Sequence, residues 1–375
     1  MKKIQTEYLA ALRAEMAKEG INTVIVSGTD PHQSENPPAH WRDREWLTGF
    51  WSANGTNGTA VVTPEKALCW TDSRYFIQAT EQLRGTGFEM MAEDGPEAVN
   101  IVDWVTEHTP AGAIVAIDGT TFSISQAQNL QQELEDNGIK LRTDFFPFDI
   151  INPERPSTPK NKLFVHDEAI VGESADSKIA RILMQVKAEL AKAVMLSSLD
   201  DIAWATNVRT AGDILFSPMY VSYLFLSDSS RVLFVDSDKL TPEVSAHLAK
   251  YNLEVRPYES VFDFVAALPK ETRLLIDPAK TSRTMYDRLG CTPVFGGTGI
   301  AKLKSVKNEQ MLRSLDRAME KDGVALTRFF MMVEKEAPSG KLTELGLTRT
   351  LREERLKDPD CVDESFAAIV GWNAH

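Results

Sequence analysis

Cysteine is scarce in this chain. Cys69, Cys291 and Cys361 are the only three among 375 residues, and they lie far apart. An odd, scattered set builds neither a disulfide framework nor a cysteine-rich zinc site, and it fits a reducing compartment. Long apolar runs are missing too. The stretch 214–225 is interrupted by Ser217, Pro218 and Ser222, and it falls short of the roughly 20 residues a membrane helix needs. The opening MKKIQTEYLAAL lacks the apolar core and small-residue cleavage site of a signal peptide. The expectation is a cytoplasmic protein without a membrane partner. Positive charge is also in deficit, with 41 Lys and Arg against 54 Asp and Glu, the reverse of a nucleic-acid-binding surface. Gly55, Gly58, Gly296 and Gly297 do not follow a strand as a dinucleotide fingerprint requires. The histidines form no HExxH and no i, i+4 pair.

What is present is a globular composition, 43% hydrophobic and 25% charged, over a length that predicts two or three domains. Residues 6–18 carry Leu9, Leu12 and Met16 on one helical face, with Gly20 as a stop. A β-branched strand follows at 23–26. A polar loop with Asp30-Pro31 and Pro37-Pro38 comes next, then strands at 61–62 and 67–70, a helix from Ser73 to Leu83, a helix over 96–107 and a strand over 113–117. The stretch 153–162, PERPSTPKNK, reads as an interdomain linker.

After the linker the pattern starts again. Ile179, Ile182, Leu183, Val186 and Leu190 form a helical stripe. The strand Val194–Leu196 ends in small and acidic residues, as the first strand does, and a second apolar strand is expected over 214–225. LCWTDSR (68–74) parallels VLFVDSD (232–238), and VAID (115–118) parallels LLID (274–277). Matches in this order predict a duplicated α/β unit. From 304 onward come a long helix over 308–333, a second helical segment over 343–356, and SFAAIVGWNAH, expected to begin as a strand. Two helices leading into a strand bury no core alone, so this part reads as the opening of a further domain.

These segments together carry a resemblance. LDDIAW (199–204) with Asn207 and Arg209, DPHQSE (30–35), EWLTGF (45–50), WTDSRY (70–75), Lys307-Asn308-Glu309, DGVAL (322–326) and Ser365-Phe366 with Ile369 and Gly371 occur in the order seen in three-domain Xaa-Pro aminopeptidases, the aminopeptidase P family. The resemblance implies an α/β fold of two creatinase N-terminal-type domains, each a mixed sheet flanked by helices, at 1–157 and 158–303. The first helices of a pita-bread catalytic domain would occupy 304–375. It implies a metallopeptidase that removes the first residue before proline, acting on proline-containing peptides, with two divalent ions, usually manganese, and a homodimeric state. An Xaa-Pro bond is a tertiary amide without N–H, which general peptidases fit poorly. The implied metal ligands would fall after His375, so the chain as given is expected to hold no catalytic metal and to be inactive. Two alternatives stay open: a creatinase-like C–N hydrolase, which the doubled unit argues against, and a pita-bread-family binding protein without metals.

Arg74 is the candidate substrate-binding residue, because it opens a helix at the end of a strand, where α/β sheets present side chains. Its competing role is an ion pair with Asp72 that fixes the turn, Asp72 itself being placed as a cap. Asp200 and Asp201 are expected to cap a helix, and Trp204 to lie in the core. His375 sits just past 365–371 but too early for the catalytic histidine of the resembling enzymes.

Overall fold

The computed structural model describes residues 2–372; His375 lies outside them. The first unit contains α1 (Lys2–Glu19), β1 (Thr23–Val26), α2 (Asp43–Thr48), β2 (Thr59–Val62), β3 (Ala67–Thr71), α3 (Phe76–Leu83), β4 (Glu89–Ala92), α4 (Ile101–His108), β5 (Ile114–Ile117), α5 (Ile124–Asp136), β6 (Lys140–Arg142) and α6 (Phe148–Ile151). The second contains β7 (Leu163–Val165), α7 (Glu168–Val171), α8 (Ala175–Ala188), β8 (Ala193–Leu196), α9 (Leu199–Thr206), β9 (Val208–Thr210), β10 (Tyr223–Ser227), β11 (Arg231–Phe234), α10 (Pro242–Lys250), β12 (Glu254–Arg256), α11 (Val261–Ala266), β13 (Arg273–Ile276), α12 (Arg283–Asp287) and β14 (Thr292–Phe295).

The duplication is visible in the topology. One six-stranded sheet runs β4-β3-β2-β1-β5-β6 and the other β12-β11-β10-β8-β13-β14. By order of appearance both read 4-3-2-1-5-6. The senses agree as well. The central strand of each pairs antiparallel with the second and parallel with the fifth, Val24 facing Val62 and Ala116 in one, Leu224 facing Leu196 and Leu275 facing Val194 in the other. Helices cover both faces. Leu9, Leu12 and Met16 of α1 pack on one side of the first sheet, and Trp104, Val105, Leu130 and Leu134 on the other. Side chains are covered on both faces, and every residue of β1 and β8 is buried.

The two units meet through equivalent segments. Ser123 lies opposite Ser282, each the N-cap of its helix. Ile124 N–H donates to Thr281 O at 2.9 Å, and reciprocally Arg283 N–H donates to Phe122 O at 2.8 Å. Such self-complementary contacts are what a two-fold axis produces. His32 adds a buried seam. Its Nδ1 lies 2.8 Å from Ser197 O and its Nε2 2.9 Å from Tyr258 Oη. A carbonyl only accepts, so Nδ1 carries the proton and Nε2 accepts from the tyrosine. Burial lowers the pKa of His32 and keeps this neutral form.

Three local expectations are corrected. The helix predicted over 96–107 starts later, at Ile101, because Asn100 caps it by accepting from the N–H groups of Val102 and Asp103. The strand predicted over 214–225 forms only at Tyr223–Ser227, since 214–222 turns through a left-handed Phe216. Residues 361–372 form no strand. The chain goes on through a short helix, α13 (Ile300–Ser305), to the long α14 (Glu309–Glu336) and then α15 (Glu344–Arg355).

Candidate functional site

The turn after β3 begins with Asp72, whose carboxylate accepts from Arg74 N–H at 3.1 Å and so caps the 3-10 turn Ser73–Tyr75. The same carboxylate takes the Arg74 guanidinium in two parallel bonds, Nε to Oδ1 at 2.8 Å and the second nitrogen to Oδ2 at 2.9 Å. Hydrogen bonding to Arg74 lowers the Asp72 pKa and in turn raises that of Arg74. The ion pair weighed in the sequence is therefore present. It coexists with exposure, because the Arg74 side chain remains 70% accessible. Fork-to-fork pairing fixes the direction of a planar cation while leaving N–H groups for another acceptor.

Asp72 is itself positioned from below. Asn57 donates to its Oδ2 at 2.7 Å. Asn57 lies in the loop 50–58, which wraps the fully buried guanidinium of Arg44. Arg44 donates to the carbonyls of Phe50, Gly55 and Asn57 and to Ser52 Oγ. Glu45 completes the arrangement by accepting from Ser52 N–H at 2.8 Å. Gly58, at φ +110° with Trp70 O 3.0 Å from where a Cβ would stand, lets the loop pass close to the sheet. Neither Arg44 nor Asn57 stands out in the sequence. The only sign is a charged run, Asp43-Arg44-Glu45, that opens the short helix α2.

The second unit uses the matching turn differently. Asp236 caps Asp238 N–H at 2.9 Å, as Asp72 caps Arg74. Asp238 stands where Arg74 stands, and it holds the linker, taking Lys160 at 2.9 Å while its carbonyl takes Lys162 at 2.6 Å. At the Tyr75 position, Lys239 turns inward onto buried Asp213. One copy of the turn thus anchors the chain's own linker, and the other presents a cation outward.

Other expected residues fall elsewhere. Asp200 and Asp201 do not cap α9; both pair with Lys304 of α13, because a lysine distant in sequence reaches them. Trp204 is core, 6% exposed, with Lys178 Nζ 5.0 Å from its ring centre. Among the described residues, no group of three or more His, Cys, Asp or Glu side chains could hold a metal ion. The described residues do not fit a dinuclear centre.

The creatinase/prolidase N-terminal domain matches residues 9–144 and again residues 154–310. The chain belongs to the creatinase/prolidase N-terminal family. It carries that domain twice, in agreement with the repeated 4-3-2-1-5-6 sheets. A probable Xaa-Pro aminopeptidase P from Penicillium rubens is 32% identical over 97% of this chain and 60% of its own length. Aminopeptidase P2 from Arabidopsis thaliana is 29% identical over 100% of this chain and 57% of its own. X-prolyl aminopeptidase from Caenorhabditis elegans, described as a cytosolic enzyme with a di-nuclear active site, aligns with TM-score 0.89 and 26% identity over 96% of this chain and 61% of its own. The creatinase-type chain thus spans about 60% of the length of the relatives it matches.

Proposed function

We propose that this chain forms the N-terminal part of a metalloaminopeptidase that releases the first residue from peptides with proline in second position. The observation that carries the reading is the match, along nearly the whole chain, to the duplicated architecture of an X-prolyl aminopeptidase, with TM-score 0.89. Three domains are proposed, bounded as 1–157, 158–303 and 304 onward. The third is read as pita-bread. In support, α14, α15 and the segment after them carry Phe330, Met331, Leu345, Phe366, Ile369 and Trp372 exposed, at 61% to 98%. This many exposed large apolar side chains suits a surface covered by another unit, here proposed as the remainder of a catalytic domain. Two divalent ions, manganese by family habit, a cytoplasmic setting and a homodimer belong to the same proposal.

Within it Arg74 is the substrate-binding residue. Its guanidinium projects from the carboxyl edge of the first sheet, held in direction by Asp72 and indirectly by Asn57 and Arg44. A cation so held suits the carbonyls or the carboxylate of a short peptide. The chemistry a metal centre would supply is polarisation of the scissile carbonyl; this chain's residues bind and orient. The test is release of the first residue from Arg-Pro-Pro against Arg-Ala-Ala by the native protein carrying this chain. Preference for the proline peptide supports the proposal, and equal rates on both refute it.

A further inference from the structure

Both units keep a crevice between the carboxyl ends of their adjacent parallel strands. In the second unit it lies past β8 and β13 and is lined by Ser197, Ser198, Asp201, Asp277 and Lys280. Its Asp201 has ammonium partners within the chain. Lys304 Nζ sits 2.5 Å from Asp201 Oδ1, and Lys280 also lowers the Asp201 pKa against the effect of burial.

In the first unit the crevice lies past β1 and β5. Ser27, Asp43, Asp118 and Thr121 line it, with Trp41, Phe145 and Phe148 as walls. The two loops correspond without a gap, Asp118–Ser123 to Asp277–Ser282. Asp118 accepts from Thr120 N–H at 2.8 Å, and Asp277 from Ala279 N–H at 2.9 Å. Thr121 N–H donates to Asp118 O, and Lys280 N–H to Asp277 O, both at 3.1 Å. Thr121 therefore occupies the place of Lys280, and the first crevice lacks the ammonium that the second has.

What remains is an excess of acceptors. Asp43 is 5% exposed, and one of its oxygens takes Arg155 at 2.9 Å. The other is buried with no hydrogen-bond partner. Arg155 is shared with Asp149 at 2.7 Å and with His40 O. Asp43, Asp118 and Asp149 thus face a single guanidinium. Burial raises Asp43 to about 7, with Arg155 opposing and Asp118 adding to the rise, and burial raises Asp118 to about 6. Uncompensated buried carboxylates hold a proton or a cation.

We propose that the first crevice is a binding site for a protonated primary amine, its ammonium seated between Asp43 and Asp118 as a lysine ammonium is seated on Asp201 in the second unit. The free space suits a group about the size of one water, so a slim –NH3+ enters and a quaternary ammonium does not. Its three N–H groups answer the free oxygen of Asp43, the Asp118 carboxylate and a hydroxyl of Ser27 or Thr121, and the aromatic walls cover the attached carbon.

The experiment uses methylammonium chloride and tetramethylammonium chloride on the 375-residue chain, at equal ionic strength and alkaline pH, where the carboxylates are ionised. Melting temperature and the carboxyl carbon resonance of Asp43 are followed. Methylammonium raises the melting temperature in a saturable way and shifts the Asp43 resonance, whereas tetramethylammonium does neither. Asp43→Asn abolishes the response. Thr121→Lys, which supplies the ammonium in cis, melts higher than the unmodified chain without amine and no longer responds to it. The proposal is overturned if the two salts act alike, if the Asp43 resonance does not move, or if Thr121→Lys still responds as the unmodified chain does.

Discussion

Replacing Arg44 by methionine removes a buried cation while keeping much of its volume. The guanidinium now satisfies the carbonyls of Phe50, Gly55 and Asn57, all in one loop, and sits 5.0 Å from the Phe50 ring centre. Methionine offers no donor, so these carbonyls lose their partner, and Glu45 keeps only Arg42 at 3.4 Å as a cation. Orphaning one buried acceptor costs about 1–3 kcal/mol, and removing one member of a buried ion pair costs about 3–5 kcal/mol. These costs overlap, because a freed loop can turn its carbonyls to water, so the expected loss is about 3–5 kcal/mol. At roughly 2–4 °C per kcal/mol for a unit of this size, the first unit melts on the order of 10 °C lower. Differential scanning calorimetry measures it. A loss under about 1 kcal/mol, within the ordinary range for point changes, would show that Arg44 does not organise the loop.

The seam and the crevice give two more expectations. His32→Ala strips partners from Ser197 O and Tyr258 Oη, at a cost of about 2–4 kcal/mol, and the two units then melt in separate calorimetric transitions; one unchanged transition would contradict the seam. Asp43, raised to about 7, stays protonated in the folded chain to higher pH than in the unfolded one, so between about pH 4 and 7 its contribution to stability falls as pH rises. His32 and His166, whose pKa values burial lowers, act in the opposite sense below about pH 6.5. Comparing melting across pH 5 to about 7.5 in the chain and in Asp43→Asn isolates the carboxylate; parallel curves would remove it from the account.

The sequence carried the architecture because the repeat lies in segments whose patterns are local. Asp72 and Asp236 both cap a 3-10 turn after a strand of their sheet, and the equivalent strands β5 and β13 both end in Ile followed by Asp. The position of Arg74 in the turn after a strand was legible for the same reason. The supports beneath it were not. Arg44 and Asn57 act through the tertiary course of loop 50–58, which no periodicity encodes. Asp200 and Asp201 read as caps because caps are local, yet Lys304, about a hundred residues away, claims them. The crevice of Asp43 and Asp118 was invisible for a similar reason, since it joins the first residue of α2 to the loop after β5 and shows its deficit only beside Lys280 of the other copy.

The most direct measurement is Arg74→Ala in the native protein carrying this chain, with melting and Arg-Pro-Pro kinetics on the same preparation. Arg74 is exposed and its counterpart Asp238 has the opposite charge in an equivalent turn, so the fold is expected not to depend on it. The account predicts a melting temperature within about a degree of the unmodified protein and a fall in kcat/KM on the order of 30-fold or more. Unchanged kinetics would contradict the account, and so would a large drop in melting temperature, which would make the pair with Asp72 structural.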